Sequence, residues 1–326
     1  MLLAKNLPNC THRVLHQRIL HLTMFTTKTT TEWVVARLYY NEPWLHFLTK
    51  CLKPFVDSLT QTGIIERYYW ERSYVGGAHI SLYFRSTTEF KNQLIIPNLV
   101  EHFEAFFSNK PSVRRLERPE FLPNNTVQIQ DLQPDFDSWG GTVGLPIAER
   151  HFQTSSDVVL DFMIQKGDKW SSDDVLSTAF QMHLGFADAA GMDVEEAVRF
   201  FEYCLLYHST EEFRLQYFED FFETQREPLL DFHAKLWENL KSKTDFKEDI
   251  YNQWIEQCFY TSADLVRTFR LRVLKVEAKF STLWTLYARL LQKTNNRLGL
   301  HGRDESLIFY LMMRSLEKIG IENMKI

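Results

Sequence analysis

The sequence predicts an α+β fold in which an N-terminal ferredoxin-like (split βαβ) sheet packs against a large helical C-terminal portion. Three observations carry this. β-Forming runs alternate with helical runs over residues 33–132, two of the β runs flank the turn signal Gly76-Gly77, and from residue 139 onward nearly every segment has helical period.

Residues 33–40, Trp-Val-Val-Ala-Arg-Leu-Tyr-Tyr, are rich in β-formers and are closed by the turn-like Asn41-Glu42-Pro43, so they read as a strand. Over 44–59 the apolar residues Leu45, Leu48, Leu52, Phe55, Val56 and Leu59 recur near the helical period, and Gly63 follows where a C-cap belongs. The runs 64–72 and 79–85 form the predicted hairpin. Ser86-Thr87-Thr88-Glu89 places Ser or Thr ahead of an acid at capping-box distance and starts a second helix over 90–107, kinked near Pro97. The βαβ unit needs one further strand, for which 113–116 and 127–132 are both candidates, separated by the Pro- and Asn-rich loop 119–125. Helices are then expected over 145–152, 157–164, 173–187, 194–206, 211–240, 249–260, 265–280, 283–291 and 305–319. Gly191 and Ser209 punctuate them, and 235–250 is the main internal loop candidate. Residues 1–31 read as an N-terminal extension, mis-started or disordered, with Met24 a candidate start, ahead of a patterned domain at 32–326.

A chain of 326 residues with 44% hydrophobic content can bury a large core. The net charge of -5, from 37 basic against 42 acidic residues, leaves no electrostatic footprint for nucleic acid and no polybasic membrane patch. His12, Arg13, His16, Arg18 and His21 break up the apolar positions of the first segment, so it does not read as a secretory signal. No apolar run reaches the ~18 residues of a membrane span. Cys10, Cys51, Cys204 and Cys258 form no Cys-x-x-Cys pair and no disulfide framework, which fits a reducing cytoplasm. His183, His208, His233 and His301 lack metal-ligand spacing, and the phosphate-loop, dinucleotide and nucleophile-elbow motifs are missing. No metal or cofactor is expected. The basic stretch 266–279, with Arg267, Arg270, Arg272, Lys275 and Lys279, reads first as a solvated helix face.

The hairpin carries the candidate chemistry, because Arg72, His79, Ser81 and Tyr83 sit at strand spacing where they can share a site. With the Tyr68-x-x-x-Arg72 strand, the run His79-Ile80-Ser81-Leu82-Tyr83-Phe84, the turn Trp139-Gly140-Gly141, the segment Ala148-Glu149-Arg150-His151-Phe152 and the late Asn296-Arg297-Leu298, the chain resembles the C-terminal, glutamate-elimination domain of lantibiotic dehydratases. That domain also exists as a stand-alone thiopeptide-type bacteriocin biosynthesis protein. The resemblance covers about residues 33–319 and rests on three motifs in the right order. It implies maturation of a ribosomally made precursor peptide, first of all removal of glutamate from glutamylated Ser or Thr to leave a dehydroamino acid. A related branch joins two dehydroamino acids by a formal cycloaddition into a pyridine ring and expels the leader peptide. A noncatalytic leader-binding subunit is the reading from another class. The implied partners are the precursor peptide with its leader and a separate glutamylating dehydratase subunit, and a homodimer stays open.

β-Elimination needs a base for the Cα proton and positive charge for the departing carboxylate. By the resemblance, Arg72 binds carboxylate or peptide carbonyl, His79 transfers a proton or fixes the turn, and Asp135 is the acid before the Gly-Gly motif. Trp139, Gly140, Gly141 and Arg297 shape the substrate site. Ser81 and Tyr83 stand where the family's second hairpin strand has two Arg, Ser138 stands for the Arg before the glycines, and Gln292 or Thr294 occupies the neighbourhood of a late His. No other residue obviously restores that charge, and the hydroxyls of Ser81, Tyr83 and Ser138 suit cycloaddition, which expels no carboxylate.

Overall fold

The computed structural model describes residues 31–114, 118–132, 135–208, 215–242, 249–273 and 280–323. The extension before residue 31, with Met24 and Cys10, lies outside them, as does Ser209. The sheet has four strands, β1 (Thr31–Tyr39), β2 (Arg67–Ser73), β3 (His79–Thr87) and β4 (Thr126–Asp131), in the spatial order β2-β3-β1-β4. Every pairing is antiparallel, as the split βαβ topology requires. The later of the two candidate fourth strands completes it.

Pleat alternation gives the sheet two different faces. On one, Val34 opposes Phe84, Ala36 opposes Leu82 and Leu38 opposes Ile80, with Tyr68 and Trp70 beside them on β2. These residues are buried beneath α1 (Lys53–Gln61) and α2 (Ile96–Asn109), where Phe55 meets Phe84 and Phe103 at ring distances of 6.2 and 5.3 Å. Each helix is entered through a π-helical stretch, Leu48–Leu52 and Lys91–Ile95, and each has a proline, Pro54 or Pro97, just after it. A proline removes one N–H and crowds the carbonyl of the preceding turn. The widened turn accommodates that loss where the sequence suggested a kink.

The other face carries Trp33, Arg37, Tyr69, Glu71, Ser81 and Tyr83, and it looks toward the helical portion. There α3 (Gly141–Lys166) runs unbroken through Thr154-Ser155-Ser156, where two helices, 145–152 and 157–164, were expected. The three hydroxyls donate instead to carbonyls of the preceding turn, Thr154 to Arg150 at 3.2 Å and Ser155 and Ser156 to Phe152 at 3.1 and 2.7 Å. The chain continues through α4 (Ser172–Ala189), α5 (Val194–His208), α6 (Leu215–Thr224), α7 (Arg226–Lys241), α8 (Asp249–Val273), α9 (Phe280–Leu298) and α10 (Arg303–Asn323). The helix expected over 211–240 breaks at Gln225 because Pro228 belongs in a first turn. Conversely, α8 is continuous to Val273 across a join the sequence suggested near residue 260. Helix α7 runs to Lys241 through the expected loop, and 243–248 lie outside the described residues. Of the basic stretch, Arg267 pairs with Asp264 at 2.9 Å, and the side chains from Arg270 to Lys279 also lie outside them. Cys51, Cys204 and Cys258 are buried free thiols.

Helix α9 and α3 seal the outer edge of β2. Asn296 accepts from the Arg72 backbone N–H at 2.8 Å and donates to the Arg72 carbonyl at 2.9 Å, which is what a neighbouring strand would do. Ser156 accepts from the Trp70 N–H at 3.2 Å. Replacing Asn296 by Leu leaves both Arg72 groups without partners, so a loss of about 2–4 kcal/mol is expected. Urea unfolding checks it as a lower midpoint at unchanged slope.

Candidate functional site

A cavity of about 540 Å³ opens between the polar sheet face and the helices. From the sheet come Tyr69, Glu71 and Tyr83, from the segment after β4 Leu132, Asp135, Ser138 and Trp139, from α3 Glu149 and Phe152, and from α9 Arg289 and Lys293. Aromatic packing shapes the wall. Tyr69 stacks on Tyr83 at 4.2 Å, and Phe152 meets Tyr69 at 5.2 Å and Trp139 at 4.8 Å.

The structure gathers Tyr83, Asp135, Ser138 and Trp139 around this cavity, and Ser81 hydrogen-bonds Tyr83 beside it. Gly140 and Gly141 both have positive φ, 79° and 84°, and form the turn that launches α3. A third glycine completes the turn: a Cβ on Gly144 would stand 1.9 Å from the Trp139 carbonyl oxygen. Asp135 accepts from the Ser138 N–H at 3.1 Å, and the hydrogen bonds from Ser138 hold its carboxyl below the ordinary value.

Two hairpin residues go elsewhere. Alternation turns Arg72 away from Glu71, and its guanidinium lies over the Trp44 ring at 5.3 Å and close to Gly299. His79 is buried at the end of β3, with Nδ1 donating to the Gly77 carbonyl at 2.9 Å and its ring 4.6 Å from that of Tyr39. Burial lowers its pKa and keeps it neutral.

The positive charge comes from α9, where the sequence singled out Arg297 but neither Arg289 nor Lys293. Arg289, Lys293 and Arg297 are four residues apart, so they share one helical face. Lys293 donates to Glu71 at 2.8 Å. Arg289 donates to Tyr207 at 2.9 Å and to the Ser138 carbonyl. Arg297 is 0% exposed beneath them, bonded to Ser156 at 2.8 Å and to the Lys293 carbonyl at 2.7 Å, with Nη2 4.0 Å from Glu71. Burial lowers its pKa to about 10, so it remains a cation at neutral pH. The helix expected over 283–291 ended short of Lys293 and Arg297, so the face was not complete in the sequence reading. The amides of Asn295 and Asn296 are both used, Asn296 on β2 and Asn295 between His183 at 2.7 Å and Glu305 at 3.0 Å.

The acids are equally placed. Glu149 is only 4% exposed; burial raises its pKa, against the pull of Arg85 at 3.8 Å. A second cavity of about 320 Å³ shares Gln292 and Lys293 with the first and is otherwise lined by Asn296, Leu300, His301, Gly302 and Glu305. Deeper in the helices, burial lowers His151 to about 3 and His183 to about 4. Among the described residues no group of three or more His, Cys, Asp or Glu could hold a metal ion, and no helix is long and apolar enough to cross a membrane.

Comparison with known proteins agrees with this architecture. The family described as lantibiotic biosynthesis dehydratase C-terminal matches residues 33–316. Among solved structures, the pyridine synthase TbtD from thiomuracin biosynthesis is similar with a TM-score of 0.72 at 15% identity, over 89% of this chain and 99% of that one. The tRNA-dependent lantibiotic dehydratase MibB from Microbispora sp. 107891 has a TM-score of 0.63 at 14% identity, over 93% of this chain and 29% of that one. TsrL has a TM-score of 0.62 at 16% identity, over 89% of this chain and 95% of that one. No curated protein matches the sequence.

Burial raises the Glu305 carboxyl from 4.5 to about 7. A raised carboxyl favours the folded state fully below its unfolded pKa, and that contribution is lost as pH climbs through the folded one. The Glu305 share of the stability to urea therefore falls between pH 4.5 and 7, while buried His151 and His183, held below their ordinary value, contribute with the opposite sign. Measured against Glu305→Gln, which keeps an acceptor for Asn295, the unaltered protein is expected to lose up to about 3 kcal/mol over the interval.

Proposed function

The chain belongs to the lantibiotic biosynthesis dehydratase C-terminal family, and from that premise we propose that it eliminates glutamate from glutamylated Ser or Thr in a ribosomally made precursor peptide. The coarser role is maturation of a lantibiotic- or thiopeptide-type peptide. One observation carries the specific reaction: a single cavity holds acids and cations side by side, Glu71, Asp135 and Glu149 with Arg289 and Lys293. A glutamyl ester keeps one ammonium and one free carboxylate whichever of its carboxyls forms the bond. A cavity of mixed sign complements it.

In the reaction a base takes the Cα proton, the Cα–Cβ double bond forms, and the Cβ–O bond breaks as glutamate leaves with the bonding pair. Glu149 is the base in this reading, since burial makes its carboxylate more basic. Arg289 and Lys293 receive the departing carboxylate, the charge that Ser81, Tyr83 and Ser138 do not supply. Asp135, exposed at the mouth, takes the ammonium. Tyr83, with Ser81 behind it, donates to the developing enolate. Arg297 acts beneath the surface by holding Glu71 and the helix that bears Lys293. Arg72 and His79 support the hairpin. The precursor peptide is the partner, and a separate glutamylating subunit supplies the ester.

The hydroxyl pair Ser81 and Tyr83 favours a second reading, cycloaddition, in which neutral donors suffice. Incubation with a glutamylated precursor separates the two. Elimination appears as loss of one whole glutamic acid per site, one water more than the glutamyl group that ester hydrolysis would remove. An unchanged mass, together with leader loss from a peptide already holding two dehydroamino acids, would replace it by cycloaddition, while binding with neither change would leave a noncatalytic subunit. On the elimination reading, Arg289→Gln and Lys293→Gln each lower kcat by about 10²–10³. Glu149→Gln lowers it by about 10²–10⁴.

A further inference from the structure

We propose that the second cavity is a subsite for the residue of the precursor peptide next to the one that reacts, and that it takes a peptide amide with a hydroxyl or carboxamide side chain. This deepens the reading above and rests on it for the identity of the peptide.

Continuity is the first argument. The cavity of about 320 Å³ shares Gln292 and Lys293 with the larger one, so the two meet across one turn of α9. Lys293 is drawn by Glu71 toward the larger cavity, at 2.8 Å, and forms the partition between them. One residue of an extended chain covers about 3.3–3.6 Å, which makes neighbouring residues the natural occupants of adjoining cavities.

The lining chemistry is the second. Apart from Leu300 and Gly302, every lining side chain is able to hydrogen-bond: Gln292, Lys293, Asn296, His301 and Glu305. Asn296 is spent on the backbone of Arg72 and Lys293 on Glu71. Glu305 is not spent. It is 4% exposed, one oxygen accepts from Asn295 at 3.0 Å, and among the described residues no hydrogen bond reaches the other. Nothing stands within 4 Å of where a Cβ on Gly302 would project, so the rim is open there. The second oxygen belongs to a side chain that lines the cavity, where an occupant can reach it. A hydroxyl or amide matches it, and a bulky apolar side chain does not.

Two substrates test this, a glutamylated precursor segment of several residues and a minimal N-acetyl, C-methylamide serine esterified with glutamate on its side-chain oxygen, which fills only the larger cavity. His301 is exposed and meets Tyr74 edge-on, so His301→Trp narrows the cavity without disturbing the core. It is expected to raise KM for the segment at least tenfold and for the minimal substrate less than twofold. Glu305→Gln, which cannot serve both as acid donor and as charged acceptor, is expected to weaken the segment's Kd by threefold or more, measured by fluorescence anisotropy. Equal KM changes for both substrates, or a segment Kd that neither substitution moves beyond twofold, would overturn the subsite. Absence of elimination from both substrates by the unaltered protein would overturn the reaction alone, because the anisotropy measurement still reports on the cavity.

Discussion

The outer edge of β2 is the constraint on which the rest depends. An edge strand leaves a row of N–H and C=O groups that cannot be buried without partners. Here the partners are side chains from helices distant in the chain, Ser156 of α3 and Asn296 of α9. Those bonds set the register of two helices against the sheet. With Asn296 tied to Arg72, Lys293 one turn earlier comes to Glu71, and Arg297 reaches back to Ser156. One polar node thus joins the hairpin, α3 and α9.

The electrostatics follow from that docking. A fully buried arginine needs partners for its donors and a counter-charge nearby. Arg297 has Ser156 on Nε and the Lys293 carbonyl on Nη1, while Nη2 makes no hydrogen bond among the described residues and has Glu71 at 4.0 Å as its counter-charge. Glu71 in turn serves two cations, Lys293 and Arg297, so the floor of the cavity keeps a net positive charge beneath a wall of tyrosines. The acids Asp135 and Glu149 enter from different elements. Neither sign dominates, which suits a zwitterionic group better than a simple anion.

Much of the fold was legible in the residues. The β-rich run at 33–40, the Gly76-Gly77 turn and the alternation at 127–132 led to the right strands because each is a local signal. The helical boundaries failed where a polar residue acted at long range. Thr154-Ser155-Ser156 and Asn295-Asn296 resemble breaks by propensity, yet their side chains satisfy the backbone of their own helix or of β2. The site was half legible. Tyr83, Asp135, Ser138, Trp139, Gly140 and Gly141 come together at or beside the cavity, while Arg72 faces away because strand residues alternate and Glu71 already occupies the polar side.

By itself, then, the sequence determined the α+β class, the order of the strands' partners in the chain, the glycine turn and the family. These rest on patterns spanning a few residues or on motifs in a fixed order. Only the tertiary structure decided where the charge lies. Arg289, Lys293 and Arg297 form a ladder only if α9 continues through two asparagines, and that continuation depends on partners more than 100 residues away, His183 for one and Arg72 for the other. Local propensity contains no information about such partners, so Arg289 and Lys293 joined Arg297 as cations at the cavity only with the helix docked on the sheet.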